Sequence, residues 1–282
     1  MPRLPPHAVQ GELKPLANVR NIIAVGSGKG GVGKSTVTVN LALALVAEGL
    51  RVGVLDADIY GPSIPMMLGL SGRPESPDGK HILPLRAHGV EAMSIGLLVD
   101  QDAAMIWRGP MVTQALTQML NETRWDDLDV LLLDLPPGTG DIQLTLAQKV
   151  PVAGAVIVTT PQDVATLDAR RALAMFRKVG IAVLGLVENM AVHVCRQCGH
   201  AEHVFGAGGG ERMAARYDVP LLGALPLELA IREQGDAGVP LVAALPQSPA
   251  AQAYREAARA LLARLQQQPA LRSGIMASLL GD

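Results

Sequence analysis

Five short, nearly uninterrupted apolar runs punctuate the chain: NIIAVG at 21–26, RVGVLD at 51–56, DVLLLDL at 129–135, AGAVIVT at 153–159 and IAVLGLVE at 181–188. Runs of this length, without polar alternation, predict strands buried on both faces. Between them apolar residues recur at helical spacing. The segment 34–48 places Val39, Leu43 and Val46 on one side and stops before Gly49; further helices are expected over 111–120, 164–179 and 208–217. A closing helix is expected over 250–265, with Ser248 as N-cap and Pro249 as the first helical residue. Strands alternating with helices predict an α/β fold, a mostly parallel sheet covered by helices on both faces.

The rhythm lapses in four places. Residues 1–18 are Pro-rich and aperiodic, and read as a flexible leader. SGRPESPDGK at 71–80 is a polar loop, residues 190–205 interrupt the alternation, and 266–282 read as a C-terminal tail. With no internal repeat and no linker after the leader, residues 19–265 are expected to form one domain.

Composition adds limits. Of 282 residues 49% are hydrophobic but only 2% aromatic, so the core must be aliphatic. A net charge of −2, with dispersed Lys and Arg, argues against nucleic acid or an anionic membrane as partner. No apolar stretch reaches the ~20 residues of a membrane span, and the start lacks the apolar segment of a secretory signal. The expected location is therefore cytoplasmic. There, two cysteines three residues apart are poor candidates for a structural disulfide.

The first chemical signal joins the first run to the first helix. Gly28-Lys29-Gly30-Gly31-Val32-Gly33-Lys34-Ser35-Thr36 fits G-x-x-x-x-G-K-[ST] between a strand and a helix. Its glycines let backbone N–H groups turn around phosphate oxygens, and the helix adds the positive end of its dipole. Lys34 is expected to hold the β- and γ-phosphates of ATP, Ser35 to ligate Mg²⁺ and Thr36 to bond the α-phosphate. The additional Lys29 resembles the deviant loop of the MinD/ParA/nitrogenase iron protein superclass. That resemblance implies a lysine reaching the nucleotide of a partner subunit, where a cation in trans offsets charge on the transferring phosphoryl group.

Carboxylates stand at strand ends, where ligands of open α/β sheets bind. Asp58 is placed to orient or deprotonate an attacking water, and Asp56 to support Mg²⁺ or the loop. Asp134 ends the run 130–134 and is expected beside the magnesium. Gly138 and Gly140 in the following PPGTGD segment permit a close approach to a γ-phosphate, and Asp141 is expected to cap the next helix. Asn189 ends the last run and is a candidate for the adenine edge.

The second signal is Cys195-Arg196-Gln197-Cys198, holding the only two cysteines. Three readings are open. Two chains meeting on a two-fold axis would supply four thiolates for a bridged [4Fe–4S] cluster. The pair with two of His193, His200 and His203 would make an intrachain zinc site. A redox dithiol is the third.

These segments together resemble the Mrp/ApbC family of ATP-binding iron–sulfur cluster carriers. LDADIYGPS at 55–63, WRGP at 107–110, the segment from Asp134 to Asp141, ENM at 188–190, the two cysteines, PLLG at 220–223 and IRE at 231–233 all match. Arg196 departs from the proline frequent after the first cysteine. The resemblance implies a P-loop NTPase three-layer sandwich and a homodimer that binds ATP. It also implies a labile cluster on Cys195 and Cys198, received from a donor scaffold and passed to apo-proteins, with slow hydrolysis gating transfer. The competing expectations are a MinD/ParA-like positioning ATPase with a structural zinc site, and a nucleotide-dependent reductase like the nitrogenase iron protein.

Overall fold

The computed structural model describes residues 3–11, 13–98 and 109–271. The five apolar runs form β1 (Ile22–Ser27), β2 (Val52–Asp56), β5 (Val130–Asp134), β6 (Gly154–Thr159) and β7 (Val183–Glu188). Three further strands, β3 (Leu85–Ala87), β4 (Val90–Ser94) and β10 (Leu221–Ala224), complete an eight-stranded sheet among the described residues. Its order is β10-β7-β6-β1-β5-β2-β4-β3, parallel except for β3, which runs antiparallel to β4.

The helices are α1 (Lys34–Ala47), α2 (Ile64–Met67), α3 (Gly109–Glu122), α4 (Asp141–Lys149), α5 (Asp163–Lys178), α6 (Gly209–Tyr217), α7 (Leu229–Asp236), α8 (Leu241–Ala244) and α9 (Pro249–Gln266). Ser248 caps α9 as expected, its hydroxyl accepting from the Ala251 N–H at 3.2 Å, and Pro249 begins the helix. Gly140, rather than Asp141, occupies the N-cap of α4. Asp141 is the first helical residue, adding a negative charge to the first turn without a side-chain cap bond.

Side-chain alternation along the strands divides the core. On β1, Ile23 and Val25 face one side with Leu41, Leu45 and Tyr254 of α1 and α9. Ile22 and Ala24 face the other with Leu116, Leu146, Phe176 and Met213 of α3 to α6. These two buried layers make the sheet a three-layer sandwich, as anticipated. Among the described residues no helix is long and apolar enough to cross a membrane.

The segment read as a flexible leader packs against the body where it is described. Leu4 and His7 are buried. The His7 N–H donates to Asn21 Oδ1 at 3.0 Å, and the Gln10 side chain accepts from the Val152 N–H at 2.9 Å. His7 also bridges Ala270. Most of the expected C-terminal tail, and Trp107 and Arg108, lie outside the described residues.

Candidate functional site

The loop 28–36 turns from β1 into α1 at the carboxyl edge of the sheet. Gly31 and Gly33 have φ of 81° and 79°, the left-handed region that favours glycine. At Gly28 a Cβ would collide with the backbone of Asp168 on α5, and at Gly33 with the Asn189 amide. Both positions therefore hold the loop close to its neighbours.

β5 runs beside β1 and β2, so Asp134 and Asp56 end neighbouring strands in register. Asp134 is fully buried and accepts from Lys34 Nζ, Ser35 Oγ and Thr38 Oγ1, each at 2.6 Å. The lysine ammonium also lies 3.1 Å from Ser35 Oγ. This one carboxylate ties together the residues expected at phosphate and magnesium. Thr38, one turn beyond Lys34, was absent from the sequence reading. Its signal is the i+4 spacing, which puts it on the same helix face as the loop lysine.

Asp56, also fully buried, accepts from the N–H groups of Asp58 at 3.1 Å and Ile64 at 3.3 Å, and from Ser94 Oγ at 3.1 Å. Burial, reinforced by the neighbouring Asp134 charge, pushes its carboxyl up to about 7. Ser94 ends β4, a strand the sequence reading had not assigned. Asp58 is half-buried on the open side. Burial raises its carboxyl above the usual range, and the Lys34 charge opposes that rise. A carboxylate with added basicity beside the loop lysine suits a group that accepts a proton from water.

Lys29 is half-buried in the loop, and its carbonyl accepts from Ser27 Oγ at 2.9 Å. Gly138, with φ of 99°, donates its N–H to the Ser27 carbonyl at 3.0 Å. The PPGTG segment therefore lies against the mouth of the loop. Asn189 is nearly buried and donates its amide to the Val32 carbonyl at 2.9 Å. It supports the loop while lining a cleft of about 240 Å³ with Gly33, Thr36, Met190 and Leu227. That cleft borders the first turn of α1.

The chain leaves β7 at Asn189 and forms a small hairpin, β8 (His193–Val194) paired with β9 (Ala201–Glu202). Cys195 and Cys198 occupy its turn, half-buried and exposed respectively, and both are free thiols. The Cys195 N–H donates to the His200 carbonyl at 2.9 Å, and the Gly199 N–H to the Cys195 carbonyl at 2.8 Å. Backbone N–H groups of Cys198 and Gln197 aim at the Cys195 sulfur and lower its thiol below the usual range. His193 and His203 each place Nδ1 on a backbone carbonyl, of Leu227 at 2.9 Å and Ala191 at 2.7 Å. Among the described residues no three His, Cys, Asp or Glu side chains converge into a metal-binding group. The intrachain Cys₂His₂ arrangement is thus not assembled, and the thiol pair faces outward with half a tetrahedral ligand set.

The family model described as NUBPL iron-transfer P-loop NTPase, under the heading ParA, matches residues 18–262. The chain is 63% identical over 235 residues to the iron-sulfur cluster carrier protein of Pseudomonas fragi, covering 83% of this chain and 82% of that one. It is likewise 63% identical over 221 residues to the iron-sulfur cluster carrier protein of Escherichia coli K12, covering 78% of this chain but only 60% of the relative's length. Among solved structures, a nucleotide-binding protein from Archaeoglobus fulgidus in complex with ADP superposes with a TM-score of 0.70 at 38% identity, over 78% of this chain and 87% of that one. The cell division ATPase MinD of Pyrococcus furiosus superposes with a TM-score of 0.63 at 25% identity, over 86% of this chain and 98% of that one.

Proposed function

This chain belongs to the ParA family of NUBPL-type iron-transfer P-loop NTPases, and from that membership we propose that it is an ATP-dependent carrier of iron–sulfur clusters. The cargo is a labile [4Fe–4S] cluster held between two copies of the chain. Cys195 and Cys198 of each copy supply the four thiolates. A donor scaffold loads the cluster, and apo-proteins in the cytoplasm receive it without involvement of nucleic acid or membrane.

The observation that carries the reading is the hairpin. Its two thiols are outward-facing, have no third ligand among the described residues, and hang from the strand end whose Asn189 touches the phosphate loop. Four thiolates require a second copy, and a cluster shared across a two-fold axis is released when that axis opens.

The nucleotide site follows the same division of labour. The backbone from Gly28 to Gly33 cradles phosphate, Lys34 neutralises the β- and γ-phosphates, and Thr36 bonds the α-phosphate. The Ser35 hydroxyl, with Asp134 behind it, fits the magnesium that accompanies the triphosphate. Asp58 orients and deprotonates water, Asp56 holds the turn that carries Asp58, and Lys29 crosses to the partner's phosphates. Asn189 borders the base. Hydrolysis is slow and gates transfer.

Anaerobic reconstitution with iron and sulfide, followed by metal and sulfide quantification and native mass, tests this. About four iron and four sulfide per dimer, lost in Cys198→Ala, is the expected result. A second reading, a positioning ATPase, draws on the MinD likeness. It gains if the reconstituted protein holds about one zinc per chain and no sulfide.

A further inference from the structure

One surface takes no part in the nucleotide or thiol chemistry. Helices α5 and α6 lie side by side on one face of the sheet, and a groove of about 480 Å³ runs between them. Its floor is apolar, with Met213 buried beneath and Leu167 and Val164 standing open at 41% and 64% exposure. Two aliphatic side chains one turn apart on an exposed helix face form a strip that solvation alone does not favour.

The rim carries the opposite character. Arg170, Arg212 and Arg216 line the groove, against a single carboxylate, Asp163. Asp163 does little to neutralise them, since its carboxylate is 3.9 Å from Arg212 and its side chain is 97% exposed. Arg216 lies over the Tyr217 ring, 5.6 Å from its centroid, which holds the guanidinium in place at the groove edge. Arg212 is fixed by a 2.8 Å hydrogen bond to the Ala207 carbonyl. Arg170 makes no hydrogen bond or ion pair among the described residues. The cationic rim stands out on a chain whose net charge is −2.

We propose that the α5–α6 groove docks an acidic, leucine-bearing segment of a partner protein. Leucines of the segment cover Val164 and Leu167, and its carboxylates pair with the three arginines. Charge complementarity selects this occupant over a second copy of the chain. A two-fold contact through the groove would set the arginines of one copy against those of the other.

The groove is also well placed to report occupancy. The backbone of Asp168, one residue past Leu167, abuts Gly28 of the phosphate loop. At the other wall, Gly210 of α6 donates its N–H to the Glu188 carboxylate, next to Asn189. A docked segment therefore braces one helix that abuts the phosphate loop and a second that is bonded to the strand end preceding Asn189. The surface itself depends neither on ATP nor on the cluster reading.

The test uses the full chain and a fluorescein-labelled synthetic peptide with two leucines set between pairs of glutamates, read by fluorescence anisotropy. A peptide with lysines in place of the glutamates is the control. Saturable binding of the acidic peptide only, weakened about tenfold or more by Arg212→Glu/Arg216→Glu and by Leu167→Asp, is the expected result. Lys34→Ala should bind the peptide as the parent does, which separates this surface from the nucleotide site. Circular dichroism checks that each variant is folded, and Leu167→Asp stands alone if the charge reversal does not fold. Absent binding, equal binding of the lysine peptide, or full competition by a short poly(U) strand would overturn the proposal. So would a parent dimer that Leu167→Asp dissociates, since that result assigns the groove to a second copy.

Discussion

Replacing Asp134 by Asn should destabilise the nucleotide-free protein far more than loss of one surface charge would. Asp134 is fully buried and Lys34 only 6% exposed, and their charged atoms are 2.6 Å apart. The substitution keeps shape and leaves the lysine ammonium buried without its counter-charge. Removing one partner of a buried pair costs about 3–5 kcal/mol. Lys34 retains the Ser35 hydroxyl at 3.1 Å, so the low end, about 3 kcal/mol, is expected. For a domain of this size that corresponds to about 6 °C in Tm.

Urea unfolding in EDTA without nucleotide measures the effect, with an unchanged m-value confirming that only stability moved. The second half of the argument is the double variant Lys34→Met/Asp134→Asn. With no stranded ammonium left, it should recover most of the loss, because a buried pair gains little over an apolar substitute. An Asp134→Asn protein within about 1 kcal/mol of the parent, or a double variant no better than the single, would refute the reasoning, since the pair would then be hydrated in solution.

Asp56 makes stability depend on pH. Its folded carboxyl is raised from 3.8 to about 7. Between those values the unfolded chain has released a proton that the folded chain keeps, so stability falls as pH rises through that window. Asp56→Asn should flatten this part of the profile in urea titrations at pH 5 and pH 8, and an unchanged slope would assign it elsewhere. Gly28→Ala forces a methyl into the Asp168 backbone; a stability loss of about 2–4 kcal/mol is expected, with weaker ATP binding by calorimetry. Asn189→Ala leaves the Val32 carbonyl without its donor. It should cost about 1–3 kcal/mol and reduce discrimination between ATP and GTP in competition binding.

The central strands were legible because burial on both faces writes continuous apolar runs, and all five runs coincide with strands to within two residues at each end. β4 was not, because Glu91 interrupts it. That carboxylate is buried yet satisfied, accepting from Arg86 at 2.7 Å and from the Asp126 N–H at 3.1 Å. Arg86 reaches Glu91 across the β3–β4 turn and Asp126 lies 35 residues on, so neither bond shows in the apolar pattern of the strand. β10 is four residues long and holds Gly223, too short for periodicity to register. The missed strand carried a missed site residue with it, because Ser94 reaches Asp56 only through β4 pairing beside β2. The packing of residues 4–11 was hidden for another reason. Proline and polar residues announce no period, and this segment is held by isolated bonds such as His7 to Asn21 instead of by a repeating face.

The loop and the cysteines looked like separate modules in the sequence, 159 residues apart from Thr36 to Cys195. Topology removes the separation. β6 lies between β1 and β7, so the end of β7 arrives beside the loop that follows β1, and Asn189 closes the gap onto Val32 at 2.9 Å. From there hydrogen bonds recur along the chain toward the hairpin. The Asn189 N–H donates to Thr159 at 2.8 Å, Ala191 to Leu225 at 2.9 Å and Leu227 to Val192 at 2.8 Å. His193 then bonds the Leu227 carbonyl at 2.9 Å, two residues before Cys195. A displacement of Val32 by phosphate therefore has a route to the base of the thiol turn, through these hydrogen bonds and the short stretches of chain that join them. Such a route transmits strain only if its links hold together. Asn189→Ala cuts the first of them while leaving Lys34, Ser35 and both cysteines in place. If ATP alters the thiols through this route, ATP should slow or speed alkylation of Cys195 in the parent and leave the rate unchanged in Asn189→Ala at saturating nucleotide. An equal ATP effect in both proteins would place the coupling elsewhere.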